Sequence, residues 1–251
     1  MQLSPQHLSV SKLLAGRLFH IPDYQRAYSW QKRQRQDLFN DIKEAYSSGR
    51  EHFMATVVAL AREKRIISPD EFQVVELVDG QQRITTVVLL LKAVEKQLLG
   101  TGEAIHAKAK RDLCDLLVKG DEYSLVLLQT NHDSSKVFTG YLRTGMIDET
   151  TVVTASDQNV VDAVRECEEF VDGWTSTGTL IELLGTIRNR LSMIYHELSD
   201  EATVYRVFEV LNSRGLDVKW IDKTKSQMMS SLFEYVEDGS RKDSLREMRK
   251  I

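Results

Sequence analysis

The chain has 251 residues, 42% of them hydrophobic and 28% charged, with 33 basic against 37 acidic side chains for a formal net charge of -4. That is enough to bury a sizeable core as one domain or two small lobes, and the balance is ordinary for a globular protein. It excludes a chain whose whole surface clings to nucleic acid, so any such contact must come from a local patch, a partner or another region.

Ser9 is placed to cap a short helix through Leu14 that stops at Gly16, and Arg17–Ile21 reads as a strand that Pro22 keeps extended. Leu38, Ile42 and Tyr46 share one face of a helix over Gln31–Ser47, which Gly49 closes. Phe53–Ala61 and Ile66–Val78 read as two strands joined across the charged turn Arg62-Glu63-Lys64-Arg65, the second interrupted near Pro69. Ile84, Val87, Val88, Leu91 and Val94 recur at helical spacing and give a long helix over Gln81–Leu99. Gly100-Thr101-Gly102 is the expected lobe boundary. Beyond it the pattern predicts helices over Ala104–Val118, Ser134–Arg143, Asp157–Trp174 and Leu180–Arg190, with strands near Ser124–Gln129 and over Leu191–Leu198. Asp200 can cap a helix carrying Val204, Val207, Phe208 and Leu211 up to Gly215, and a helical stretch over Ile221–Tyr235 precedes a charged end. The mixture is that of an α+β protein.

Cys114 and Cys167 have no neighbouring cysteine or histidine at zinc-ligand spacing, so both are expected as buried thiols of a reducing cytoplasm. Met1–His20 lacks the layout of a signal peptide, and apolar runs such as Val87–Leu91 fall far short of the roughly 20 residues that span a bilayer. A cytoplasmic protein without membrane contact is expected.

The most informative stretch is Glu76-Leu77-Val78-Asp79-Gly80-Gln81-Gln82-Arg83-Ile84-Thr85-Thr86, an apolar strand that turns at Gly80 straight into the long helix. A helix start leaves N–H groups unpaired and carries partial positive charge, so it attracts anions. Gln81, Gln82, Arg83, Thr85 and Thr86 crowd that first turn with donors suited to phosphate oxygens, and Asp79 is the one acid, suited to a metal ion or an attacking water. On spacing alone a plain capped turn is an equal reading, since Asp-Gly turns and Thr or Gln at helix starts are common.

Two further segments carry chemistry. In Ile21-Pro22-Asp23-Tyr24-Gln25-Arg26-Ala27-Tyr28-Ser29-Trp30, Arg26 is suited to bidentate contact with a phosphate, while Tyr24, Tyr28 and Trp30 fit core anchors better than base platforms. In Phe208-Glu209-Val210-Leu211-Asn212-Ser213-Arg214-Gly215, a helix ends on glycine; Ser213 reads as a cap, and Asn212 and Arg214 as either caps or ligand contacts. The groups Lys32, Arg33, Arg35 and Lys108, Lys110, Arg111 could touch a DNA backbone but fit solvated helix faces better.

The string D-G-Q-Q-R-I-T-T, with I-P-x-Y-Q-R-x-Y-x-W before it and F-x-x-L-N-S-R-G after it, resembles the signature of domain-of-unknown-function family 262. That family is the N-terminal module of GmrSD-type modification-dependent restriction enzymes and related phage-defence proteins. The resemblance implies a mixed-sheet core similar to ParB and sulfiredoxin, with an additional mainly helical lobe. It implies a nucleoside triphosphatase that uses Mg²⁺ and regulates a nuclease of the HNH type, acting on DNA that carries modifications. In that reading Asp79, Arg83 and Arg214 are catalytic, Asp79 also holds the metal, and Gln25, Arg26, Gly80, Gln81, Gln82, Arg83, Thr85, Thr86 and Asn212 hold the nucleotide. Lys225 matches a common family lysine. The alternative is a sensor of nucleotide or modified DNA that does not hydrolyse, and homo-oligomerisation stays open. Ala27 stands where proline is frequent, and Ala55 where glycine is usual, so its methyl is expected to narrow the pocket. The expected division is residues 1–100 for the first part of the core, 101–190 for the helical lobe, 191–236 for the strand and helix completing core and pocket, and 237–251 for a charged tail or the start of a further region.

Overall fold

A computed structural model of the chain describes residues 5–22, 25–67, 69–98, 104–119, 126–129 and 135–199. Among them lie strand β1 (Gln6–Ser9), helix α1 (Val10–Leu14), β2 (Arg17–Ile21), α2 (Lys32–Ser48), β3 (His52–Ile67) and β4 (Asp70–Asp79). They continue with α3 (Gln81–Gln97), α4 (Ala104–Leu117), β5 (Leu127–Gln129), α5 (Ser135–Thr144), a 3-10 turn at Glu149–Thr151, α6 (Ala155–Trp174), α7 (Leu180–Asn189) and β6 (Leu191–Leu198). The protein is α+β, and the sheet is mixed, with strand order β1-β6-β3-β4-β2-β5. β3 pairs antiparallel with β4, β1 pairs antiparallel with β6, and the other three pairings are parallel. The predicted helix over residues 204–215 and the stretch after it lie outside the described residues.

The apolar periodicity explains the packing. One continuous cluster gathers Val57, Ala59, Val75 and Leu77 from the sheet with Ile84, Val88, Leu91, Val164, Trp174 and Leu183 from α3, α6 and α7. Alternate residues Val58, Leu60, Val78 and Leu198 form a second, smaller cluster, and Leu18, Ile67 and Val74 a third, because successive side chains along a strand point to opposite faces. Inside the helical layer, Arg35 of α2 is 2% exposed and grips Glu166 of α6 with Nε and Nη2 at 2.8 and 2.7 Å, while Nη1 donates to the Trp30 carbonyl. This cation therefore ties two helices together and lies on no solvated face.

One sequence expectation about the strands is corrected, and one strand is new. Arg62–Arg65 is not a turn; β3 continues through it to Ile67, with a shift in its pairing register between Ala61 and Lys64. The charges tolerate a strand because Arg62 pairs with Glu76 at 2.8 Å and Lys64 with Glu71 at 2.6 Å across the hairpin, on its partly open end. The sequence pattern gives no sign of β1, since its four residues have little apolar pattern and are held by pairing with Met193–Tyr195 and Ser192 of β6.

The pairing of β3 with β4 carries an irregularity at the end nearest α3. Val58 of β3 sits opposite Asp79, whereas the next residue, Ala59, sits opposite Leu77, which leaves Val78 as an extra residue in β4. The extra residue breaks the simple alternation of faces just before Asp79.

Candidate anion-binding site

The site starts where β4 ends. Gly80 has φ 92° and ψ 0°, and a Cβ there would meet Val57 Cγ2 at 3.0 Å and the Thr56 carbonyl oxygen at 3.4 Å, so only glycine fits both the left-handed backbone and the gap. α3 begins immediately, with no side chain capping its first turn.

The polar residues of that turn divide into two groups. Gln82, 8% exposed, clamps the loop before α2: its Oε1 accepts from the Ser29 and Trp30 N–H groups at 2.8 and 3.3 Å, and its Nε2 donates to the Ala27 carbonyl at 3.2 Å. Gln81 Nε2 donates to the Arg26 carbonyl at 3.1 Å, and Gln25 Nε2 to the Val78 carbonyl at 2.7 Å. Thr86, fully buried, donates to the Gln82 carbonyl at 2.9 Å, which makes the Tyr28 hydroxyl the donor in its 2.9 Å bond to Thr86. Burial pushes the Tyr28 hydroxyl far above its ordinary pKa despite that bond. Thr85 is 1% exposed. Gln25, Gln82 and Thr86 therefore fix the loop that carries Arg26 and Trp30, and Tyr28 is a buried anchor.

The second group is left with capacity to spare. Gln81 is only 7% exposed, yet its Oε1 is buried with no hydrogen-bond partner. Arg83 lays its guanidinium over the Trp30 ring, 5.4 Å from the centroid, and its Nε is likewise buried and unpartnered. Burial lowers the Arg83 pKa, opposed first by Asp41 and then by Asp79. Burial also raises the Asp79 carboxyl, opposed by the Gly80 N–H and by the Arg83 and Arg26 guanidiniums. The side chains of Asp79 and Arg26 both reach solvent at the rim. A buried polar atom without a partner is costly, so two at one helix start leave room for a ligand that supplies them.

Sequence reasoning missed Asp41 and His52. Asp41 projects from α2 and holds His52 at the start of β3, with Oδ1 to Nε2 at 3.3 Å. Burial raises the Asp41 carboxyl, and His52 and Arg83 oppose the rise. Nothing in local spacing connects residue 41 with residue 83; only the fold does. Ala55 packs against the main apolar cluster, which directs its methyl into the core. Asn212, Ser213, Arg214 and Lys225 lie outside the described residues, as do Asp23 and Tyr24.

Elsewhere, Cys114 and Cys167 are both free thiols. No group of three metal-ligating side chains occurs among the described residues, and none of their helices is long and apolar enough to cross a membrane. The family model described as "GmrSD restriction endonuclease, N-terminal domain" matches residues 10–229. No curated protein matches the chain.

Proposed function

The chain belongs to the GmrSD restriction endonuclease N-terminal domain family, and from that premise we propose that the start of α3 is the phosphate site of a nucleoside triphosphatase within a DNA-restriction or phage-defence protein. The observation that carries this reading is the pair of buried, unpartnered polar atoms, Arg83 Nε and Gln81 Oε1, at an uncapped helix start beside Asp79 and Arg26. Helix N–H groups and two arginines suit phosphate oxygens. A protonated or water-bridged oxygen of the ligand suits Gln81 Oε1.

Asp79 is the side chain that would hold Mg²⁺ here, because Mg²⁺ is commonly bound through one or two carboxylates together with substrate phosphates. The ion would neutralise charge on the phosphate oxygens. In hydrolysis a water oxygen bonds to the terminal phosphorus while the bond to the bridging oxygen breaks, the proton lost by the water passes to the released phosphate, and Arg83 offsets the negative charge that shifts to the leaving diphosphate. Arg214 and Asn212 join this site by the resemblance of their motif alone. The same family membership supports modified DNA as the recognised partner and an HNH-type nuclease as the effector.

The test is purified protein with Mg²⁺ and each nucleoside triphosphate. Binding and phosphate release are expected, with affinity falling by about 10- to 100-fold in Arg83→Ala, the range for losing a charge-assisted hydrogen bond, while circular dichroism stays unchanged. Equal binding by the parent and the folded variant would sink the reading. Tight binding without release would support the nucleotide switch over the hydrolase.

A further inference from the structure

Arg35, Arg62 and Lys92 each pair with an acid, Glu166, Glu76 and Glu95 respectively. Arg83 is held differently. Among the described residues no carboxylate comes within ion-pair distance of it, and its guanidinium instead lies over the Trp30 ring, 5.4 Å from the centroid. The two kinds of partner differ in what they leave for a ligand. A carboxylate neutralises the cation and must be displaced by an incoming anion, whereas an aromatic ring attracts and orients the cation without cancelling its net charge.

Trp30 is itself fixed from several sides. It stands just before Gln31, the N-cap of α2. Its N–H donates to Gln82 Oε1 at 3.3 Å, and its carbonyl accepts from Arg35 Nη1, while Arg35 is gripped in turn by Glu166 of α6. Its ring packs against the main apolar cluster. Contacts from α2, α3 and α6 thus converge on the residue that carries Arg83.

We propose that Trp30 is a positioning residue of the anion site: its indole is a shelf that holds the Arg83 guanidinium at the start of α3, oriented and still fully charged, for a polyphosphate. This rests on the phosphate reading of the site. Trp30 then serves the site as well as the core, and the buried Arg35–Glu166 pair acquires a duty beyond joining two helices, since it fixes the peptide that bears the shelf. An arginine already oriented loses less side-chain freedom when the ligand binds, so the shelf raises affinity.

The probe is inorganic tripolyphosphate with Mg²⁺, which avoids any assumption about the base, titrated calorimetrically into the full chain. Trp30→Leu keeps an apolar side chain but removes the ring, and affinity is expected to fall roughly fivefold, the scale of a partly buried cation–π contact. Trp30→Phe restores a ring with a weaker field and is expected to lose only about twofold; it carries the test alone should the leucine variant not fold. In an Arg83→Ala background Trp30→Leu is expected to weaken binding no further, because the shelf acts through Arg83. Should that background bind too weakly to titrate, urea unfolding reads the same pair of substitutions, and Trp30→Leu is expected to cost less without Arg83 than with it. Parent-like affinity in a folded Leu or Phe variant, or an equal effect of Trp30→Leu with and without Arg83, overturns the shelf, and the loss in Arg83→Ala alone leaves the phosphate site standing. No tripolyphosphate binding by the parent protein overturns both.

Discussion

The starts of α3 and α7 show two ways of treating the same problem. At α7, Thr179 Oγ1 accepts from the Glu182 N–H at 3.2 Å, and Glu182 Oε2 accepts from the Thr179 N–H at 2.8 Å, so the helix caps itself with its own side chains. At α3, Gly80 offers no side chain at all, and the glutamines beyond it turn to the neighbouring loop instead of the helix end. The carboxylates register the difference in opposite directions. The hydrogen bonds from Thr179 hold the Glu182 carboxyl below its ordinary pKa, whereas burial lifts Asp79 above its own. A helix that serves only the fold spends its polar groups on itself; α3 leaves its own end open.

The largest stability effect expected from breaking this contrast is at Gln82. Gln82→Ala removes three bonds to the loop that carries Arg26 and Trp30, and should cost about 2 kcal/mol in urea unfolding because buried backbone groups lose their partner. Phosphate affinity should fall with it, although Gln82 is nearly sealed from solvent. Thr179→Ala is the matched control at the other helix. It should cost about 1 kcal/mol by loss of the cap and leave phosphate affinity unchanged.

The smallest effect has the most telling sign. Because the folded pKa of Asp79 is raised, its ionised form is disfavoured by folding at neutral pH, and that penalty vanishes as pH falls through the carboxylate range. Asp79→Asn should therefore stabilise the fold at neutral pH, by about 0.5 kcal/mol given how much solvent the residue retains, with the difference closing on acidification in thermal melts. Glu182 runs the other way: its depressed pKa contributes stability at neutral pH that is lost as the carboxylate protonates.

These residues also mark where the sequence is a good guide to the fold and where it is not. The strand, the glycine turn and the long helix are legible between Phe72 and Gln97 because each rests on local signals, namely β-branched residues, a left-handed turn and helical spacing. The bulge at Val78 is invisible there, since it depends on which residues of β3 lie opposite. Likewise the first-turn donors announce polarity but not direction. Whether a glutamine meets a ligand or a loop is decided by a segment more than 50 residues away. Asp41 and His52 are illegible for the same reason, and Arg35 reads as a surface charge until Glu166 of α6 is brought against it.

The Gln82 clamp also bears on the order in which the molecule assembles. Its bonds join residues 52 to 55 positions apart, and the β2–β4 pairing that brings the two ends together spans a similar length of chain. Closing such a loop carries an entropic cost before any contact rewards it, so non-local pairings of this kind form late in folding. A partly folded chain can have its helices in place and still lack the juxtaposition of Arg26, Trp30 and Arg83. On the phosphate reading proposed above, binding would therefore require the completed fold rather than the helices alone.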